Sequence, residues 1–113
     1  MSYTYLRGAL AAAAFTLALN AATSAPAAEA ARVTIGNFTF GPAALTVKPG
    51  TTVTWLNGDD IPHTVVADDK KTFRSKVLDS GDTFSFTFTA PGTYPYFCSI
   101  HPHMTGKVIV KAS

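Results

Sequence analysis

From Arg32 onward the chain alternates apolar and polar side chains with a period of two. In TFSFTF (Thr83 to Phe88), Phe84, Phe86 and Phe88 share one face while Thr83, Ser85 and Thr87 share the other, the pattern of a half-buried strand. TTVTWL (Thr51 to Leu56) does the same with Val53 and Trp55 inward, and KVIVK (Lys107 to Lys111) puts Val108 and Val110 together in a closing strand. RVTIGNFTFGP falls out of step: Val33 and Ile35 have one parity, Phe38 and Phe40 the other. A bulge or bend at Gly36-Asn37 would return all four to one inward face. ALTVKPG (Ala44 to Gly50) and APGTY (Ala90 to Tyr94) carry Pro-Gly turns. DDKKTFRSK (Asp68 to Lys76) is charged and is expected to form an exposed loop. No amphipathic helical stretch of convincing length follows the N-terminal region. Seven or so short strands with closely spaced turns predict an all-β chain folded as an antiparallel β-sandwich.

The N-terminal segment obeys a different rule. Met1 to Arg7 carries one positive charge, and Gly8 to Leu19 (GALAAAAFTLAL) is an apolar run of twelve, short of the roughly 20 residues a spanning helix needs. Small residues follow, and both APA (Ala25 to Ala27) and AEA (Ala28 to Ala30) fit a signal-cleavage site. The expected organisation is a signal peptide over 1–27, with cleavage as late as residue 30, and a single domain over 28–113. An uncleaved membrane anchor is the alternative, and without a nearby cysteine lipid attachment is not available. The expected location is the periplasm, with no membrane anchor. From Ala28 the chain has eight Lys+Arg and seven Asp+Glu, a net of 8 − 7 = +1. That balance gives no reason to expect nucleic acid or a membrane surface as partner.

Against this sparse background, YFCSIHPHMTG gathers the only cysteine, two of three histidines and the only methionine besides Met1. An unpaired cysteine in an exported domain needs burial or a ligand to escape oxidation. Singly, Cys98 reads as a buried thiol, His63 as a hydrogen-bonded strand histidine and Met104 as core filler. Jointly they read differently. A thiolate is a soft donor, an imidazole intermediate and a thioether soft and neutral, a mixture that favours copper, whereas structural zinc takes four Cys or His. Cys98, His101 and Met104 are spaced by threes in one loop. The only histidine outside that loop is His63, in IPHTVV behind the rigid Pro62. Two imidazoles, one thiolate and a weak axial thioether make a blue-copper set. His103, five residues after Cys98, offers a competing imidazole.

With these residues the chain resembles the cupredoxins, the type 1 blue copper proteins, in their amicyanin- and plastocyanin-like branch. VTWLNGDDIPHTVV resembles the strand of the upstream histidine, and FSFTFTAPGTYPYFCSIHPHMTGKVIV the last two strands with the ligand loop. The resemblance implies a Greek-key sandwich of about seven to eight strands, with one type 1 copper per chain held by His63, Cys98, His101 and Met104. The Cys-x-x-His spacing favours His101 over His103, which then lies beside the site without an assigned role. It also implies a non-enzymatic monomer carrying single electrons between transient partners, a donor dehydrogenase and a cytochrome or oxidase acceptor. A copper carrier or storage protein without a redox role is the alternative; a multicopper enzyme would need more histidines.

Five finer expectations follow, the first three from the resemblance to the family and the last two from the residues themselves. Ile100, Pro102 and Pro42 are placed in an apolar patch around His101. Thr64 stands where many relatives have Asn, so the tie to the ligand loop is expected to be weaker or made by the hydroxyl. Pro95 removes a backbone donor from the strand leading to Cys98, tolerable only if that donor faces outward or the strand bends. Lys70, Lys71, Arg74 and Lys76 read as a solvated loop, with steering of an acidic partner as the alternative. Trp55 is expected in the core.

Overall fold

The computed structural model describes residues 29–112; the expected signal peptide over 1–27 lies outside them. Eight strands run in order: β1 (Ala30–Gly36), β2 (Thr39–Gly41), β3 (Ala44–Val47), β4 (Thr51–Asn57), β5 (Val66–Ala67), β6 (Thr83–Phe88), β7 (Gly92–Phe97) and β8 (Thr105–Val110). They form two four-stranded sheets, β2-β1-β4-β6 and β3-β8-β7-β5. The all-β sandwich is therefore as expected, and its non-consecutive neighbours are the crossovers of a Greek key. The sheets are mixed rather than purely antiparallel, since β1 pairs parallel with β4, and β3 with β8. In each parallel pair the chain leaves for the other sheet before it returns, and so comes back in its original direction.

Parity decides what is buried. Val33 and Ile35 of β1, Val53 and Trp55 of β4, Phe88 of β6, and Val108 and Val110 of β8 all lie in the core. Each such side chain contributes about 1.5–3 kcal/mol. Outward on the first sheet, Thr52 meets Thr87 and Thr54 meets Ser85, each oxygen pair 2.7 Å apart. Trp55 is fully buried and touches Phe73, Phe84, Phe88 and Tyr96, with ring centroids 5.4–6.3 Å apart.

Two local expectations need correction. At Gly36-Asn37 there is no bulge: β1 and β2 form a hairpin, Gly36 opposite Thr39, so Asn37 and Phe38 are a two-residue turn. Both have positive φ, 52° and 58°, as a type I′ turn requires. The parity switch therefore marks a reversal, returning Phe40 to the core and leaving Phe38 at the tip, 49 % exposed. Nor is the 68–76 segment wholly solvated. Lys70, Lys71, Arg74 and Lys76 are exposed, but Phe73 and Ser75 are buried. The segment is laced to the sheet by Ala67 N–H to Phe73 O (3.0 Å), Ser75 N–H to Val65 O (2.8 Å) and Val65 N–H to Ser75 Oγ (2.9 Å).

Candidate metal centre

The end of the sandwich where β7 turns into β8 positions the loop residues. Phe97 faces Thr105 across the ladder, so residues 98–104 form the connection. Two successive turns fold it, His101 N–H to Cys98 O (3.2 Å) and Met104 N–H to His101 O (2.9 Å). A third bond, Cys98 N–H to Met104 O (3.1 Å), draws its ends together. Cys98 is fully buried and Met104 5 % exposed. His63 arrives from the crossover between β4 and β5. Its backbone bridges Leu78 in both directions, 3.0 and 2.7 Å, and the residue is fully buried.

Cys98 Sγ lies 3.8 Å from His63 Nδ1 and 3.8 Å from His101 Nδ1. The donor atoms of these three residues all fall within 4.8 Å of one another. Metal–sulfur and metal–nitrogen bonds of about 2.3 and 2.0–2.1 Å meeting at a trigonal angle hold their donors about 3.7–3.8 Å apart. The observed spacing fits an ion of first-row size between them. His103 is exposed and does not belong to this group. The soft thiolate and two imidazoles, with a buried thioether in the same loop, fit copper better than zinc.

Electrostatics prepares the sulfur. Burial opposes ionisation of Cys98, but the Thr64 N–H, His63, the Ile100 N–H and His101 together favour the thiolate and bring the thiol down to about 6. Cys98 is therefore available as an anion near neutral pH.

Two further residues shape the site and were not singled out from the sequence. Asp59 Oδ2 lies 2.8 Å from His63 Nε2. The Phe38 N–H lowers the Asp59 pKa most; burial opposes, while His63 and the Asn37 N–H add to the lowering. The ionised carboxylate can only accept, so Nε2 carries a proton toward Asp59, and the bond orients the ring with Nδ1 facing Cys98. Asp59 is set by its own N–H to Asn57 Oδ1 (2.9 Å), and buried Asn57 donates through Nδ2 to Ile61 O (2.8 Å) and Leu78 O (2.9 Å). The second residue is Phe38, whose ring stands nearly perpendicular to both imidazoles, 5.6 Å from His63 and 5.1 Å from His101. Pro42, expected near His101, is exposed just after β2; the aromatic neighbour of His101 from this part of the chain is Phe38. Ile100 is 45 % exposed and Pro102 is exposed beside the half-buried His101.

A family model described as a cupredoxin-like domain matches residues 9–110. The chain belongs to the cupredoxin-like family. It is 39 % identical over 98 residues to amicyanin-alpha of Methylorubrum extorquens, covering 83 % of this chain and 82 % of that protein. It is also 39 % identical over 87 residues to chloroplastic plastocyanin of Oryza sativa subsp. indica, covering 66 % and 56 %. Among solved structures it is similar to a purple cupredoxin from Nitrosopumilus maritimus, with a TM-score of 0.67 and 36 % identity, over 72 % of this chain and 99 % of that one.

As a cupredoxin the chain has two features that the sequence left open, and the structure resolves both. The tie at Thr64 is made by the hydroxyl: Ser99 N–H donates to Thr64 Oγ1 at 2.7 Å, and the Ser99 and Thr64 hydroxyls are 2.8 Å apart. Thr64 also points its N–H at Cys98 Sγ from 3.4 Å and its Oγ1 from 3.7 Å. Pro95 costs the β7–β8 ladder nothing. Its carbonyl accepts from Asp68 N–H at 2.9 Å, and in an extended strand N and O of one residue point the same way. The missing donor thus faces the loop beyond the short β5, not β8.

Proposed function

We propose that this cupredoxin carries single electrons between proteins through a type 1 copper site, with Nδ1 of His63, Sγ of Cys98 and Nδ1 of His101 as close ligands and the Met104 thioether as a weak fourth. The observation that carries the proposal is the triangle of donors, the buried sulfur with two imidazole nitrogens each 3.8 Å from it. A bound copper ion would supply a one-electron couple at neutral pH. The residues of the chain do the rest. The His63–Leu78 bridge and the closed 98–104 loop fix the donors before any ion arrives, so little need move when charge changes. The Thr64 N–H partly offsets the negative charge of the sulfur, and the apolar wall around it sets the local dielectric.

The 1–27 segment is proposed to direct export to the periplasm, leaving 28–113 as a monomeric domain. Its partners would be a donor dehydrogenase and a cytochrome or oxidase acceptor, met transiently at the exposed Ile100 and Pro102 beside His101. Such short-lived contacts fit a small area. No catalytic role is proposed, since two of the three histidines are already committed to this one centre. The carrier or storage alternative is disfavoured by the full burial of His63 and Cys98, which leaves a recipient protein no direct access to those donors.

Titration of the purified domain with Cu(II) tests this. An intense visible sulfur-to-copper band, an EPR signal with narrow copper hyperfine splitting and reversible bleaching by a mild reductant are expected. Cys98→Ser must abolish the band. A colourless, freely exchanging Cu(I) site would instead establish the carrier.

A further inference from the structure

Phe38 occupies a backbone conformation that a bulky side chain avoids. Its φ is 58°, that of its neighbour Asn37 is 52°, and the usual occupant of the second position in such a turn is glycine. Strain of this kind persists where the surroundings enforce it. Here the enforcing group is Asp59. Its Oδ1 accepts Asn37 N–H at 2.6 Å, and its Oδ2 accepts both Phe38 N–H at 3.0 Å and His63 Nε2–H at 2.8 Å. One carboxylate therefore holds the strained turn and a proposed copper ligand at once. The turn's aromatic ring reaches the second ligand, His101, which Asp59 is not seen to bond.

We propose that Asp59 and Phe38 form a clamp that fixes the mutual orientation of His63 and His101. Asp59 pins the Asn37–Phe38 turn, and the Phe38 ring, set at 86° to one imidazole and 88° to the other, keeps both from turning and shields His63 from water. Both are positioning residues. The role in electron transfer rests on the copper reading above, but the clamp itself exists in the protein without metal and can be tested there.

Three observations follow in the metal-free domain. Phe38→Gly relieves the positive-φ strain, so the urea midpoint should stay level or rise although an aromatic ring is lost. The ring N–H of His63 should then exchange with water at least about tenfold faster, because its cover is gone. Asp59→Asn puts an amide where the carboxylate accepted three donors, so it should shift the ring protons of His101 at a distance. In a Phe38→Gly background the same Asp59→Asn change should leave His101 unmoved, which isolates Phe38 as the link. In the copper-loaded protein, Phe38→Gly should change the EPR rhombicity and slow electron self-exchange read from NMR line broadening. The clamp is overturned if Phe38→Gly lowers the urea midpoint as a core aromatic would, or leaves the His63 exchange rate within twofold. It is also overturned if Asp59→Asn shifts His101 equally with and without Phe38. Absence of a sulfur-to-copper band in the parent would refute the copper reading while leaving the metal-free outcomes to decide the clamp.

Discussion

Tyr96 carries a hydroxyl that the fold does not use. The residue is 1 % exposed, and among the described residues neither its Oη nor Nε1–H of the adjoining Trp55 has a partner in hydrogen-bond geometry. Burial pushes the phenol from 10.0 up to about 12, opposed by the Trp55 N–H, which favours the phenolate. Two consequences follow for Tyr96→Phe. At pH 7 the native state loses an unsatisfied polar group, whose burial costs about 1–3 kcal/mol, so the variant should be at least as stable as the parent. At alkaline pH the sign is set by the raised folded pKa. The unfolded phenol ionises from about pH 10 while the folded one holds its proton, so Tyr96 contributes fully below pH 10 and its contribution disappears as pH rises toward 12. At pH 11 the unfolded state is favoured about tenfold by this group alone, about 1.4 kcal/mol. Urea unfolding followed by Trp55 fluorescence, parent against Tyr96→Phe at pH 7, 9, 10 and 11, isolates that term because lysines titrate in both. The stability gap should widen in favour of Phe by about 1.4 kcal/mol between pH 9 and 11. A constant gap across that range, or a loss of more than about 1 kcal/mol for Phe at pH 7, would refute the reasoning and show that the hydroxyl has a partner.

The same ring dictates Gly106, where an added Cβ would come within 2.5 Å of Tyr96 Oη and 2.6 Å of Cζ. Gly106→Ala should cost about 1–3 kcal/mol in urea unfolding, and Tyr96→Phe should not rescue it because the ring carbon is as close as the oxygen. Phe73→Ala, in the charged segment, should cost about 3–5 kcal/mol, since its ring stacks 5.7 Å from Trp55; an effect below about 1 kcal/mol would return the segment to solvent. Thr64→Val removes the acceptor of Ser99 N–H and should cost about 1–2 kcal/mol while shifting the sulfur-to-copper band of the loaded protein. Restoration of both by Thr64→Ser is expected.

Strand faces were legible because a period of two survives any choice of neighbour: Val53, Trp55, Phe88, Val108 and Val110 are inward in the sequence and in the structure. Strand direction was not. The β1–β4 and β3–β8 parallel pairs show the same alternation that antiparallel pairs would, and which strands meet is decided across the whole chain. The parity switch before Phe38 was visible, but its cause was hidden. A two-residue hairpin usually announces itself with Asn-Gly, and here Phe stands in the second place. Phe73 was concealed by four cations around it, although the alternation Phe73, Ser75 against Arg74, Lys76 carried the signal. The grouping of His63 and Cys98 with a loop histidine could be read from donor chemistry and spacing, and the resemblance to the family chose His101 over His103. Asp59 could not, because an Asp-Asp pair in a turn has no periodicity to mark one of them.

The proposed ligand set is split between two parts of the fold, and that division explains why the polar contacts lie where they do. His63 belongs to the body of the sandwich through its bridge with Leu78, whereas Cys98, His101 and Met104 belong to one connecting loop. A rigid site needs the two parts registered to each other, and backbone pairing alone does not supply this at the ligand loop. Thr64 ties the two directly, and Asn57 and Asp59 steady the His63 side. The Thr64 hydroxyl reaches from the residue after His63 to Ser99 in the loop. The Asn57 amide fixes Leu78 O, next to the bridge, and orients the Asp59 N–H. Asp59 in turn binds His63 and the turn that carries Phe38. Thr64 and Asn57 are buried, so their hydrogen bonds form in low dielectric, where leaving one unmade is costly, whereas the bonds from Asp59 to the Asn37–Phe38 turn lie at the surface. The donor cluster is thus held by a few short polar side chains, and that restraint on the imidazoles is what the proposed electron transfer requires.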